Sequence, residues 1–261
     1  MQTLNIETMR SQFPALFATA PAAHVSKDYK FVSTEQIITK MAEADWHPVQ
    51  VKAPKFRSEG KRETGRHVVM FRNPTIEADS RLGGLFPCVR SINSHDWSTR
   101  LDVLGGLFRS MCSNGLFVAS SDIAQFSVRH DNAIEDIGVI LSRMIGFTEQ
   151  VMDKVRRWNT ITLSDSSALQ FAERAARLRF GDKVTPEVTR EILTPMRAED
   201  AEPTLWATFN RAQENLMRGG FRAPNMRRAD RTRRARGITN IDAERKLNEG
   251  LWSLAEEYAT V

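Results

Sequence analysis

Between Arg218 and Arg236 the chain places eight arginines, Arg218, Arg222, Arg227, Arg228, Arg231, Arg233, Arg234 and Arg236, against a single acid, Asp230. The whole chain of 261 residues carries 37 Lys+Arg against 32 Asp+Glu, and its formal net charge of +5 comes from this one segment. Guanidiniums at that density repel one another and cannot be buried without partners. Their chemistry is anion capture: each presents a planar fork of donors that matches a phosphate, and each can stack on a base. A solvated face generally mixes charge signs, which this segment does not. The pattern therefore predicts nucleic-acid contacts by Arg222, Arg227, Arg228, Arg231, Arg233, Arg234 and Arg236.

A second basic stretch, with Lys52, Lys55, Arg57, Lys61, Arg62 and Arg66, contains only Glu59 and Glu63 as acids. It reads as a basic loop or hairpin tip, and Lys52, Lys55, Arg57, Lys61 and Arg62 are secondary candidates for phosphate contacts. If both basic stretches reach one side of a sheet they form a groove. Arg72 and Arg90 would then floor it, and Phe71 or Trp97 would supply stacking surfaces. Aromatics in strands and turns are more commonly packing residues. His95-Asp96 and His130-Asp131 are two His-Asp pairs, which could in principle assemble a hydrolytic or metal centre. The chain has no H-E-x-x-H, no third ligand cluster and no carboxylate array, so cap and turn roles are the simpler reading and no metal or cofactor is expected. Gly105-Gly106 lies in neither a G-x-G-x-x-G nor a Walker motif.

Those residues need elements to hold them. Residues 1–30, with Pro14 and Pro21, read as a flexible N-terminal arm. Ser33 with Gln36 three places on forms a capping box ahead of Ile37, Ile38 and Met41, which predicts a short helix. Trp46 to Val51 alternates as a strand, confined to a sheet edge by Pro48. His67 to Phe71 and Phe86 to Ile92 read as two more strands. From Asp96 or Ser98, the spacing of Leu101, Leu104, Leu107, Phe108 and Met111 predicts a helix ending at Asn114-Gly115. Leu116 to Val118 and Phe126 to His130 follow as strands, and Asp131 opens a long amphipathic helix.

Beyond that point helical spacing dominates: Ser164 to Phe180, Pro186 to Leu193, Pro203 to Met217 and Ile241 to Tyr258. The fold class is α+β, an antiparallel sheet crossed by helices and followed by a mostly helical C-terminal half. The expected organisation is the arm (1–30), an α+β core (31–160) and a helical region (161–261) bearing the basic segment 218–236. Apolar residues make up 41% and charged residues 26%, as in a globular protein with no membrane-spanning run. Cys88 and Cys112 are too few for a disulfide framework, and both read as buried residues of a cytoplasmic protein.

The run Leu107-Phe108-Arg109-Ser110-Met111-Cys112-Ser113-Asn114-Gly115-Leu116 resembles a phage- and plasmid-borne family, domain-of-unknown-function family 932, which includes the YfjQ/YafZ-like proteins. Gly219-Gly220 with the basic stretch after it, Asn248 to Trp252, and Leu254-Ala255-Glu256 are similar to that family too. The resemblance spans most of the chain and implies mobile-element DNA metabolism. Its layout also looks similar to that of phage single-strand annealing recombinases, an analogy of fold and context.

The function expected from these readings is binding of nucleic acid, single-stranded DNA preferred, with strand annealing in recombination and assembly as a homo-oligomer. Annealing requires no cofactor and no catalytic residue. The alternative is an interaction protein that blocks or recruits a host factor through its basic surface. An enzyme working through the His-Asp pairs ranks last.

Overall fold

The computed structural model of the protein describes residues 2–54, 59–109, 126–128, 149–225 and 228–260. These fall into two compact units. One holds residues up to 79, residues 84–109 and the strand at 126–128; the other holds residues 80–83 and 150–260.

In the first unit, α1 (Ile6–Gln12) is capped by Asn5, whose side-chain oxygen accepts from the N–H groups of Glu7 and Thr8. A 3-10 turn (Pro14–Phe17) follows. The capping serine is where the sequence puts it: Ser33 accepts from Gln36 N–H at 3.3 Å and opens α2 (Thr34–Glu43). The sheet is an antiparallel meander in the order β1 (His47–Lys52), β2 (His67–Arg72), β3 (Leu85–Asn93), β4 (Leu101–Arg109) and β5 (Phe126–Val128). The short helix α3 (Glu59–Thr64) lies in the connection between β1 and β2, where the sequence reading expected a loop or hairpin tip. Pro48 is on the edge strand, as expected, and the N–H of Leu4 donates to its carbonyl at 2.8 Å.

The core of this unit joins Ile37, Ile38 and Met41 of α2 to Val69, Phe71, Val89 and Val103 of the sheet. Met9, Leu16 and Phe17 belong to the same cluster. Residues 1–30 are therefore not a loose arm: burying those three side chains removes enough apolar surface from water to hold the segment down.

The helix predicted from Asp96 or Ser98 is instead strand β4. Its residues pair with β3 from Leu85↔Arg109 to Ile92↔Asp102. The apolar spacing misled because both faces of the strand are buried, so Val103 and Leu107 on one side interleave with Leu104 and Phe108 on the other. Gly105 and Gly106, costly in a helix, face Val89 and Cys88 across the ladder. Cys88 is buried as expected, and burial pushes its thiol far above the usual range. Cys112, the strand 116–118, His130 and the start of the helix predicted at Asp131 lie outside the described residues.

The second unit is helical. The helical residues 149–158 (α4) precede α5 (Asp165–Phe180), α6 (Pro186–Leu193), α7 (Leu205–Arg218) and α8 (Ile241–Ala259). An aromatic cluster ties three of them together: Trp158 lies 4.2 Å from Trp252 and 6.0 Å from Phe209 between ring centroids. That packing places Trp158 with the helices of the second unit. A bidentate pair between Arg197 and Glu214, at 3.0 and 3.1 Å, adds a nearly buried charge contact. No helix among the described residues is long and apolar enough to cross a membrane.

Candidate nucleic-acid interface

The arginine segment is neither a loop nor a helix face. It folds as a two-stranded antiparallel ribbon, β6 (Arg222–Asn225) and β7 (Arg228–Arg234), separate from the main sheet. α7 ends at Gly219, whose φ of 67° with ψ −147° is a backbone conformation essentially confined to glycine. Gly220 follows at φ 99° and donates its N–H to Ala235 O, while Ala235 N–H returns to Phe221 O. These two bonds close the base of the ribbon. Phe221 and Ala223 are buried beneath it, with the Phe180 ring 6.1 Å from that of Phe221 in an edge-on arrangement.

Arg222 and Arg234 lie on one face of the ribbon, and Arg233 lies on the other with Ala223. Arg222 and Arg234 stand directly opposite each other across the ladder, and Arg233 is opposite the buried Ala223. Arg222, Arg233, Arg234 and Arg236 are all exposed. Like charges in direct cross-strand register destabilise a sheet. Among the side chains described, no acidic group lies within ion-pair distance of any of the four. Arg234 does donate through Nε to Gly220 O at 2.8 Å, which fixes its stem while leaving the rest of its fork exposed. Arg228 and Arg231 lie on the β7 backbone; Arg227 is outside the described residues.

A residue the sequence reading missed holds this ribbon in place. Arg179, in the last turn of α5, donates to Leu216 O at the end of α7 and to Arg236 O just past β7. Partial burial, reinforced by the nearby Arg233 charge, lowers its pKa from the usual arginine range. One guanidinium thus links α5 both to the last turn of α7 and to the chain leaving β7. Its sequence signal is weak, since a basic residue in a last helical turn is common for dipole reasons alone.

Gly219 is the tightest point. A Cβ there would sit 2.6 Å from Ala235 O and 2.9 Å from the carbonyl carbon of Arg236, both backbone atoms that cannot swing aside. At Gly220 a Cβ would meet nothing closer than 3.9 Å. Gly219→Ala is therefore expected to destabilise by about 2 kcal/mol or more, combining left-handed strain with a backbone clash. Gly220→Ala should carry the strain alone and cost about 1 kcal/mol. Urea titration of both variants checks the order; equal losses would contradict it.

The second basic stretch belongs to the other unit. Lys61 and Arg62 are exposed on α3, Lys52 ends β1, and Lys55 and Arg57 lie outside the described residues. Arg90 is buried in β3 and does not floor a groove, while the Arg72 guanidinium lies 4.3 Å over the Phe86 ring. Phe71 is a core residue and cannot stack a base. Trp97 is the opposite case, 59% exposed.

Of the His-Asp pairs, only His95-Asp96 is described. His95 is fully buried, its ring centroid 5.2 Å from that of His67 and 4.8 Å from that of Phe31. Thr34 Oγ1 joins the two histidines, lying 2.8 Å from His67 Nε2 and 3.5 Å from His95 Nε2, and it accepts from Asn93 Nδ2 at 2.9 Å. His67 Nδ1 is 2.9 Å from Gly65 O. Burial, with a further contribution from His95, lowers the His67 pKa to about 3. Asp96 caps no helix; it accepts from Ser98 N–H in the β3–β4 connection. Among the described residues no group of three or more His, Cys, Asp or Glu side chains is placed to hold a metal ion.

The domain family described as "Domain of unknown function (DUF932)" matches residues 21–252. The UPF0380 protein YafZ of Escherichia coli (strain K12) is 28% identical over 249 residues, which cover 95% of this chain and 88% of that protein. The UPF0380 protein YfjQ of the same organism is 27% identical over 248 residues, with the same coverage of both chains. No solved structure matches the chain.

Proposed function

Since the chain belongs to the DUF932 family, whose description names no activity, we propose from the geometry of this chain that it binds nucleic acid through the arginine ribbon. The preferred ligand is single-stranded DNA, and the outcome of binding is the annealing of complementary strands during recombination in the cytoplasm. The observation that carries this reading is the exposed cross-strand Arg222–Arg234 pair, for which the described side chains offer no acidic partner, with the exposed Arg233 and Arg236 on the same ribbon segment. A repulsive array on a rigid base is relieved by an anion, and a phosphate backbone supplies anions at a regular spacing. Contacts of this kind hold a strand without engaging its base edges, which leaves those edges open to a complement. Several copies assembled side by side would line up such ribbons along one strand, so the active form in this proposal is a homo-oligomer.

The test is anisotropy of labelled oligonucleotides, single-stranded and duplex, over a salt series, followed by a strand-annealing assay with two complementary strands. Tighter, salt-sensitive binding of the single strand and faster annealing support the proposal. A two-stranded ribbon is also narrow enough to enter a duplex major groove, so tighter binding of duplex would assign the ribbon to groove contacts instead. Failure to bind either at low salt would leave an acidic protein as the counterpart of the ribbon.

A further inference from the structure

Trp97 has two properties seldom found together. Its side chain is 59% exposed, and its backbone is left-handed, with φ 64°. Non-glycine residues hold that conformation only where surrounding structure over-determines it. Here the surroundings do so. In the β3–β4 connection Ser94 Oγ accepts from Thr99 N–H at 3.0 Å and donates to Thr99 O at 3.2 Å. Asp96 Oδ1 accepts from Ser98 N–H at 3.0 Å. His95 N–H donates to Thr64 O, and His95 O accepts from Ala22 N–H. The loop is thus bonded on both sides of Trp97, and the indole is held out from it.

Tyr29 stands beside the indole. Its ring centroid is 5.8 Å from that of Trp97 at an interplanar angle of 31°, and its hydroxyl donates to Ser94 O at 2.9 Å. Two aromatic rings are therefore fixed side by side on a braced loop. Lys27 and Arg100, exposed nearby in the chain, have no acidic partner among the described residues. A cleft of about 830 Å³ lined by Asp96, Thr64, Lys61 and His24 adjoins the loop, with neither Tyr29 nor Trp97 in its lining. Partial burial pushes the Asp96 carboxyl up, but hydrogen bonds from Ser98 and Ser94 outweigh it and hold the group below the usual range. The Asp96 charge is felt at Tyr29, so a carboxylate next to the two rings disfavours a phosphate on them and leaves the uncharged base as the better occupant.

The geometry points to Tyr29 and Trp97 as a stacking platform for a nucleobase of a single strand, a second contact independent of the arginine ribbon. This rests on the nucleic-acid reading above and deepens it. A ring held in place before binding loses little freedom on contact, and stacking tolerates any base because every base has a π-face.

Fluorescence tests it directly, because the other four tryptophans, Trp46, Trp158, Trp206 and Trp252, are buried. Titrating the full-length protein with a thymidine 20-mer should quench the exposed-tryptophan emission, with the same midpoint as anisotropy of the labelled oligomer. Trp97→Phe should lose the quench and keep its affinity. Trp97→Ala should bind about tenfold more weakly, with its salt dependence unchanged. A 20-mer of abasic sites should bind wild type and Trp97→Ala equally. Binding by anisotropy without any quench would overturn the platform and leave the ribbon reading standing. An equal loss of affinity for the abasic oligomer would assign Trp97 a structural role and overturn it too. If anisotropy shows no binding at all, both readings fall.

Discussion

Replacing Arg222, Arg233, Arg234 and Arg236 together by glutamine is expected to weaken single-strand binding by roughly 10² to 10³ near 0.1 M salt. The magnitude follows from counterion release. Each phosphate contact on a single strand contributes about 0.7 to the slope of log K against log salt, or about 0.7 of a decade in affinity at 0.1 M. Four such contacts lower the slope by about 3 and the affinity by close to three decades. The fold should survive, because all four side chains are exposed and the backbone bonds, including Arg179 to Arg236 O, are untouched by the substitutions. Among the described residues, the only side-chain hydrogen bond the four make is Arg234 Nε to Gly220 O. Separating the opposed Arg222–Arg234 charges removes a repulsion, which offsets the loss of that bond. Anisotropy across a salt series, with a urea titration alongside, reads both quantities. An unchanged salt slope would mean that phosphates are not what these arginines hold.

The second large effect concerns acid. His67 has a pKa lowered to about 3, against about 6.5 in the unfolded chain, so between those values the unfolded state binds a proton that the folded state does not. The stability this group contributes is complete above pH 6.5 and is lost as the pH falls toward 3. Between pH 7 and pH 5 the loss from this one group is about 2 kcal/mol. Protonation would place a cation among His95, Thr34 and Asn93, none of which can neutralise it, while Asp96 acts only from a distance. Urea titrations at the two pH values measure the effect, and His67→Asn, which cannot titrate, should lose less stability over the same interval. The same loss in both proteins would place the acid sensitivity elsewhere.

Local signals in the sequence located most of the elements. The Ser33–Gln36 box marks the start of α2, Pro186 opens α6, and Gly219 ends α7, because caps and terminators act within a few residues of themselves. β4 was not legible as a strand, since burial of both its faces erases the alternation that identifies a half-buried strand. The arginine ribbon was legible in charge and not in shape. Apart from Ala223 and Pro224, its strands carry almost no apolar residue whose period could be read, and what fixes it is contact with Phe180, Arg179 and the end of α7. The histidine network was hidden for a different reason. Thr34, His67, Asn93 and His95 come from separate elements up to 61 residues apart, and only tertiary folding brings them together.

The edge strand β1 has a consequence for crowding. A free sheet margin normally invites a second copy to extend the ladder, and long rows of stacked sheets begin that way. At Pro48 this margin lacks the amide proton needed to recruit a neighbour, and the carbonyl of the same residue is already occupied by Leu4 N–H. The register shift between Pro48 and Gln50 bends the margin as well. Growth by sheet extension is thereby blocked on this side, so copies of the protein can be crowded together without their β1 margins fusing.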